Sequence, residues 1–271
     1  MPPNLRRVES ETARGWSSSV PSVAATPESM PRALPELGDT ILSIWAHPDD
    51  ETYLSSGLMA RAAREGIRVV CVTATRGEGG SLDEERWPSE TLGAIREQEL
   101  LRCLEILGVT EHVFLDLPDI GMDSPLPDVG AGRVLELMEE IKPDTVLTFG
   151  PDGMTGHLGH ISVSDWTTDA FAKAAPAGSS LYYACQSEDW AAEILPRLQP
   201  FAGFRPGTPP VFAADDLAIA YELDQELMEL KLRAIHEHTS QVEGMLATLG
   251  DDFFRVGARS EYFQLGMTKS T

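Results

Sequence analysis

The sequence predicts an α/β fold, a Rossmann-like three-layer sandwich with a mostly parallel sheet and a metal site at the carboxyl ends of the strands. Three observations predict it. From residue 41 onward, short apolar runs alternate with segments of helical period, the pattern of a parallel sheet covered by helices on both faces. Gly66, Gly108 and Pro143 stand where helices should stop. Two of the apolar runs lead directly into turns crowded with His and Asp, and open α/β sheets bind ligands at that edge.

Taken in order, residues 1–36 are rich in Ser, Pro, Glu and Ala without a hydrophobic period, which reads as a flexible or loosely docked extension. Residues 37–271 then form a single domain. Ile41-Leu42-Ser43-Ile44-Trp45 opens a first buried strand (41–46), followed by a helix over about 52–65 that Gly66 closes. A strand at 67–74 and a helix at about 91–107 precede Gly108. Next come a strand at 112–117, a helix at about 131–141 ended by Pro143, and a strand at 144–149. A helix at 157–174 and strands at 180–185 and 216–222 follow, with a last helix over 224–243. The stretch 186–215 holds Pro196, Pro200, Pro206, Pro209 and Pro210 and reads as a long surface connection near the mouth of the site.

Composition narrows the partners. Forty-three acidic against 21 basic residues give a formal charge of −22, which repels phosphate backbones and excludes nucleic acid and anionic membranes as natural partners. Cys71, Cys103 and Cys185 are widely spaced and read as buried reduced thiols rather than a disulfide set. No segment reaches the ~18 uninterrupted apolar residues of a membrane span, and no secretory signal follows Arg6 and Arg7. A cytoplasmic protein, with homo-oligomerisation open, is the expectation.

The chemistry lies in residues 46–51, Ala-His-Pro-Asp-Asp-Glu, and residues 156–160, Gly-His-Leu-Gly-His. An Asp at a helix start is commonly a cap, which accounts for one of Asp49 and Asp50 but not for the neighbouring His47-Pro48 and Glu51. His157 and His160, three apart, share one face if they open a helix. Two imidazoles and one carboxylate with water in a fourth place match a catalytic zinc site, so His47, Asp50 and His160 are the expected ligands. Iron, cobalt or manganese also suit that donor set. Asp49 and His157 remain as a base and an acid or electrophile beside the metal.

These stretches resemble the PIG-L/LmbE-like family of zinc-dependent N-acetylglucosaminyl deacetylases, which includes the deacetylases of mycothiol and bacillithiol biosynthesis. The resemblance extends through Val72-Thr73-Ala74-Thr75-Arg76-Gly77-Glu78, Ile95-Arg96-Glu97-Gln98-Glu99, Lys142-Pro143-Asp144 and His238-Thr239-Ser240-Gln241. It implies His47, Asp50 and His160 as zinc ligands, Asp49 as general base, and His157 as the residue that stabilises the oxyanion and helps protonate the leaving amine. It also marks His238 as a substrate-side position. Arg76 and Glu78 follow the second strand at the same sheet edge and are candidates for sugar hydroxyls. Arg96 is a further candidate, or else one half of a helix-face ion pair with Glu99. Of the tryptophans, Trp87 is the best candidate for a sugar platform.

Two positions depart from the family pattern. Leu158-Gly159 replaces the usual Pro-Asp between the histidines, removing a carboxylate that would orient or charge His157. Thr155 stands where some mycothiol-pathway members carry tyrosine. The expected activity is hydrolytic removal of an acetyl group from an N-acetylglucosamine unit in a small amino-sugar conjugate. A metal phosphoesterase on the same scaffold, or a sugar- or nucleotide-binding module without chemistry, are the alternatives.

Overall fold

The apolar runs lie side by side in one mixed sheet. The computed structural model describes residues 6–7 and 36–270. In chain order these contain β1 (Arg6–Arg7), β2 (Thr40–Trp45), α1 (Asp50–Arg64), β3 (Arg68–Thr75), α2 (Ser89–Leu107), β4 (Glu111–Leu117), α3 (Val129–Ile141) and β5 (Thr145–Phe149). Then follow α4 (Gly153–Gly156), α5 (Leu158–Ala174), β6 (Ser180–Ser187), α6 (Glu188–Ala202), β7 (Val211–Phe212), β8 (Ile219–Glu222), α7 (Gln225–Glu237), α8 (Thr239–Leu249), α9 (Asp251–Gly257) and β9 (Ser260–Thr268).

The strand order is β1-β4-β3-β2-β5-β6-β9-β8, with β7 beside β6. Strands β4, β3, β2, β5 and β6 run parallel, while β1, β9 and β8 add antiparallel edges. Ile41 pairs with Val69 on one side and Thr145 on the other, so β2 and β5 are neighbours although more than a hundred residues apart. Connections leave β2 toward one edge of the sheet and β5 toward the other. That reversal opens a crevice at the strand ends, and both His/Asp turns lie beside it. Ile41, Leu42, Ile44 and Trp45 are completely buried, as expected of a parallel strand covered on both faces.

The extension assigned to residues 1–36 lies outside the described residues except for Arg6, Arg7 and Glu36; the first two pair with β4. Three features differ from the sequence expectation. The 186–215 stretch is not a plain connection: residues 188–202 form α6, with Pro196 and Pro200 inside it. Both prolines are exposed, and burial of Trp190 and Ile194 outweighs the cost of the two missing donors. The 224–243 helix breaks at His238 into α7 and α8. Residues 260–268, unassigned from sequence, insert antiparallel between β6 and β8.

The helices after β6 build a second hydrophobic cluster of Trp190, Ile194, Leu232, Ile235, Val242, Phe253, Phe254 and Ala258, distinct from the main core. A buried ion pair joins this layer to α1. Lys231 Nζ lies 2.6 Å from Glu261 Oε1 and donates to the Tyr53 carbonyl at 2.8 Å. The same carboxylate accepts the N–H groups of Gly57 and Leu58.

Candidate metal centre

The turn between β2 and α1 is short and forced. Asp49 has φ 124° and ψ −31°, a backbone region that costs a non-glycine residue about 1–3 kcal/mol. Its surroundings hold it there. Glu51 Oε2 accepts the Asp49 N–H at 3.0 Å. Arg96, buried on α2, donates to the Pro48 carbonyl at 2.6 Å and the Gly77 carbonyl at 2.9 Å, with Nη2 3.2 Å from Asp49 Oδ2. Gly77 makes room for it: at φ +67°, a Cβ there would fall 2.4 Å from Arg96 Nη1. Arg96 and Glu99 do not pair, because the Glu99 carboxylate accepts from the backbone and hydroxyl of Ser240.

The second turn delivers the histidines. His157 caps α5, its Nδ1 accepting the Gly159 N–H at 2.9 Å. His160 follows within the first turn. Its Nδ1 is 2.9 Å from the Gly153 carbonyl; a carbonyl only accepts, so Nδ1 carries the proton and Nε2 is left with a lone pair. That Nε2 lies 3.1 Å from His47 Nδ1. The Asp50 carboxylate lies 3.5 Å from each of them.

Two ring nitrogens and a carboxylate converging at 3.1–3.5 Å repel unless a proton or cation sits among them. Tetrahedral coordination with bonds near 2.0–2.1 Å puts donor atoms about 3.3–3.4 Å apart, so the spacing fits a small divalent metal. His47, His157 and His160 also have ring nitrogens within 4.8 Å of one another. We favour Asp50 over His157 as third donor, because the Asp50 carboxylate lies 3.5 Å from both nitrogens and His157 Nδ1 is already occupied by the Gly159 amide. His47 Nε2 has no hydrogen-bond partner among the described residues but lies 3.9 Å from the buried Asp119 carboxylate, which is placed to orient that ring.

The electrostatics separate these groups. Burial raises the Asp49 pKa to about 6, against the opposing charge of Arg96. Burial acts the same way on Asp50, but His160 and His47 outweigh it and hold that carboxyl well below the usual range. His157 is lowered to about 3 by burial and then by the His47 and His160 imidazoles; His160 is lowered to about 4 by burial, against the opposing charge of Asp50. Burial pushes His47 down too, and Asp50 more than reverses it, so its pKa lies above the ordinary value. With its Nδ1 accepting from a backbone amide, neutral His157 carries its proton on Nε2 and is a hydrogen-bond donor.

A cavity of ≈ 400 Å³ contains His47, Asp49, Asp50, His157 and His160 in its wall, together with Arg96 and Asp119. Tyr53 also lines it, with a buried hydroxyl that has no partner among the described residues. The other residues singled out from sequence sit elsewhere. Arg76 pairs with Glu97 and Asp116, each at 2.6 Å, and lies over Phe114. Glu78 Oε1 accepts the Asp119 N–H, so it shapes the loop that carries Asp119. His238 is fully buried, with Nε2 3.0 Å from Thr52 Oγ1 and 3.3 Å from Glu51. None of these three is on the cavity wall. Trp87 is not there either; Trp190 is. Thr155 is on the wall, its hydroxyl 3.4 Å from His160 Nδ1.

Asp119 is the residue that sequence reasoning passed over. Its position just past the end of β4, at the same sheet edge, was the available signal.

Known proteins share this arrangement of elements. Residues 42–171 match the family model described as GlcNAc-PI de-N-acetylase, PIG-L. The 1D-myo-inositol 2-acetamido-2-deoxy-alpha-D-glucopyranoside deacetylase of Actinosynnema mirum is 32% identical over 230 residues, covering 74% of this chain and 80% of the relative. The protein of the same description from Mycobacteroides abscessus is 30% identical, covering 78% and 83%. Among solved structures, the N,N'-diacetylchitobiose deacetylase from Pyrococcus horikoshii superposes with a TM-score of 0.55 at 22% identity, covering 84% of this chain and 83% of that one.

Proposed function

From the premise that this chain belongs to the PIG-L family of deacetylases, we propose that it is a metal-dependent amide hydrolase removing the acetyl group from an N-acetylglucosamine-containing small molecule. The observation that carries the reading is the convergence of His47 Nδ1, Asp50 and His160 Nε2 at 3.1–3.5 Å, with Asp49 the next residue in the turn. The named relatives, deacetylases of an inositol conjugate and of a chitobiose, support the same substrate class. They also favour an enzyme over a binding module without chemistry.

His47, Asp50 and His160 would hold the metal, and zinc is the ion their donor types and spacing suit best. A divalent ion there supplies Lewis acidity, polarising the amide carbonyl and acidifying a water. Asp49 is the base. It stands beside Arg96, which keeps its carboxylate ionisable in a buried place, and it collects the proton of the attacking water. His157 contributes through Nε2–H, donating a hydrogen bond to the carbonyl oxygen as negative charge builds there. In the Nε2–H tautomer it also has the proton that a departing amine requires. Arg96 and Asp119 are both on the cavity wall, Arg96 holding the turn that carries Asp49 and Asp119 facing the His47 ring. Arg76, Glu78 and His238 support the site from behind its surface, through the Asp119 loop and the Glu51 carboxylate.

The test is acetate release from N-acetylglucosamine conjugates by the zinc-loaded protein, compared with its Asp49→Asn variant. We expect release by the native chain and a loss of at least about 10²–10⁴-fold in the variant, the range for removing a general base. Equal rates in the two proteins would remove Asp49 from this role. No release by metal-loaded native protein from any conjugate would overturn the assignment.

A further inference from the structure

The metal-binding side chains account for only part of the cavity. Another part of its wall comes from the second hydrophobic cluster. Trp190, Ile194, Leu198 and Phe201 of α6 line it, and their spacing of four, four and three puts them in one stripe about 17 Å long. Phe253 and Phe254 of α9 also line it. The stripe itself carries no polar side chain, although Tyr53, Gln186, Gln241 and Ser260 also line the cavity, the Tyr53 hydroxyl and Gln186 Oε1 without a hydrogen-bond partner among the described residues. Lys231 is on the wall, but its ammonium is committed to Glu261 and to the Tyr53 carbonyl. The apolar character reaches the surface, since Leu82 and Phe201 line the cavity while remaining 70% and 39% exposed.

An inositol ring would set its hydroxyls against this stripe. Each hydroxyl buried without a partner loses its hydration uncompensated. An apolar group loses nothing polar and gains from leaving water. We propose that the α6–α9 wall is a subsite for an uncharged apolar aglycone, so that the substrate is an N-acetylglucosamine glycoside with a hydrophobic substituent rather than a polyol conjugate. The inference rests on the deacetylase reading. Because the group removed in that reading is an acetyl, too small to cover a stripe of this length, the apolar wall is left for the aglycone. The net charge of −22 argues against an anionic substituent. Hydrolysis itself is unchanged: water adds across the amide, giving acetate and the free amino sugar.

The experiment compares kcat/KM for acetate release from the methyl, butyl and octyl glycosides of N-acetylglucosamine, all as monomers in solution, and from an N-acetylglucosaminyl-inositol. Binding of the octyl and methyl glycosides of glucosamine is measured in parallel by titration calorimetry. We expect kcat/KM to rise with chain length, by at most about fourfold per buried methylene and at least about tenfold from methyl to octyl. The slope should flatten in Leu198→Gln, a substitution at a half-buried position. Octyl binding should be tighter than methyl and carry a negative heat-capacity change.

A flat series with the inositol conjugate preferred would overturn the inference while leaving the deacetylase reading intact. Faster hydrolysis of N-octanoyl- than of N-acetylglucosamine would assign the wall to the acyl group and also overturn it. If no conjugate releases acetate, the deacetylase reading falls and calorimetry decides the subsite alone. Tighter octyl binding would uphold it, and equal binding would end it.

Discussion

Replacing Arg96 with methionine tests how a buried carboxylate is kept available as a base. Asp49 is pushed up by burial and drawn back by Arg96, reaching about 6. A guanidinium this close lowers an aspartate by about 1–3 units, so its removal should lift Asp49 to about 7–9. The base works ionised, so activity is lost as pH falls through this pKa. At pH 7 the ionised fraction would drop from about 0.9 to between about 0.5 and 0.01, an about twofold to ninetyfold loss that alkaline pH restores. A cation bound at the adjacent ligands lowers both pKa values, so the acid limb lies at or below the stated positions. The displacement between native and variant remains. The assay is the pH profile of kcat/KM for native protein, Arg96→Met and Arg96→Lys, with thermal melts to confirm folding. Lysine keeps the charge and should shift the limb less. A methionine variant that loses activity equally at every pH, with its acid limb unmoved, would refute the reasoning and leave Arg96 a scaffold for the Pro48 and Gly77 carbonyls.

Two other substitutions separate stability from chemistry. Lys231→Met removes one member of a fully buried pair and strands the Glu261 carboxylate; urea unfolding should show a loss of about 3–5 kcal/mol, and a loss under 1 kcal/mol would mean that water reaches the carboxylate. Gly159→Ala places a Cβ 3.1 Å from His157 Nδ1 and Cε1, and that ring is already confined between His47 and His160. The melting temperature should hold or rise, since alanine outranks glycine in a helix by about 0.5–1 kcal/mol. By contrast kcat/KM should fall by up to about 10²-fold, and unchanged kinetics would show that the ring position is not critical.

Much of the fold was readable because each parallel strand is a short apolar run bounded by glycine, proline or polar turns. The glycine stops at Gly66 and Gly108 both adopt the left-handed conformation. What escaped was decided by tertiary packing. Pro196 and Pro200 argue locally against α6, and the burial of Trp190 and Ile194 in the cluster they share with residues of α7, α8 and α9 makes that helix worthwhile. His238 breaks the last long helix from inside, where it meets Glu51 and Thr52, a contact 186 residues away in sequence. The metal-binding set was legible from residue type and spacing in two turns, given a sheet that brings their strands together. Partners across the site were not. Nothing in the helix-face spacing of Arg96 and Glu99 reveals that one reaches Asp49 and the other Ser240. The backbone amide of Gly159 donates to His157 Nδ1, so the chain itself orients that ring without a carboxylate at this position.

Metal content per chain, by elemental analysis of native protein and of its His47→Ala and His160→Ala variants after zinc loading, tests the central claim most directly. The account predicts one tightly held divalent ion in the native chain and its loss in both variants. No metal in folded native protein, or retention by either variant, would contradict it.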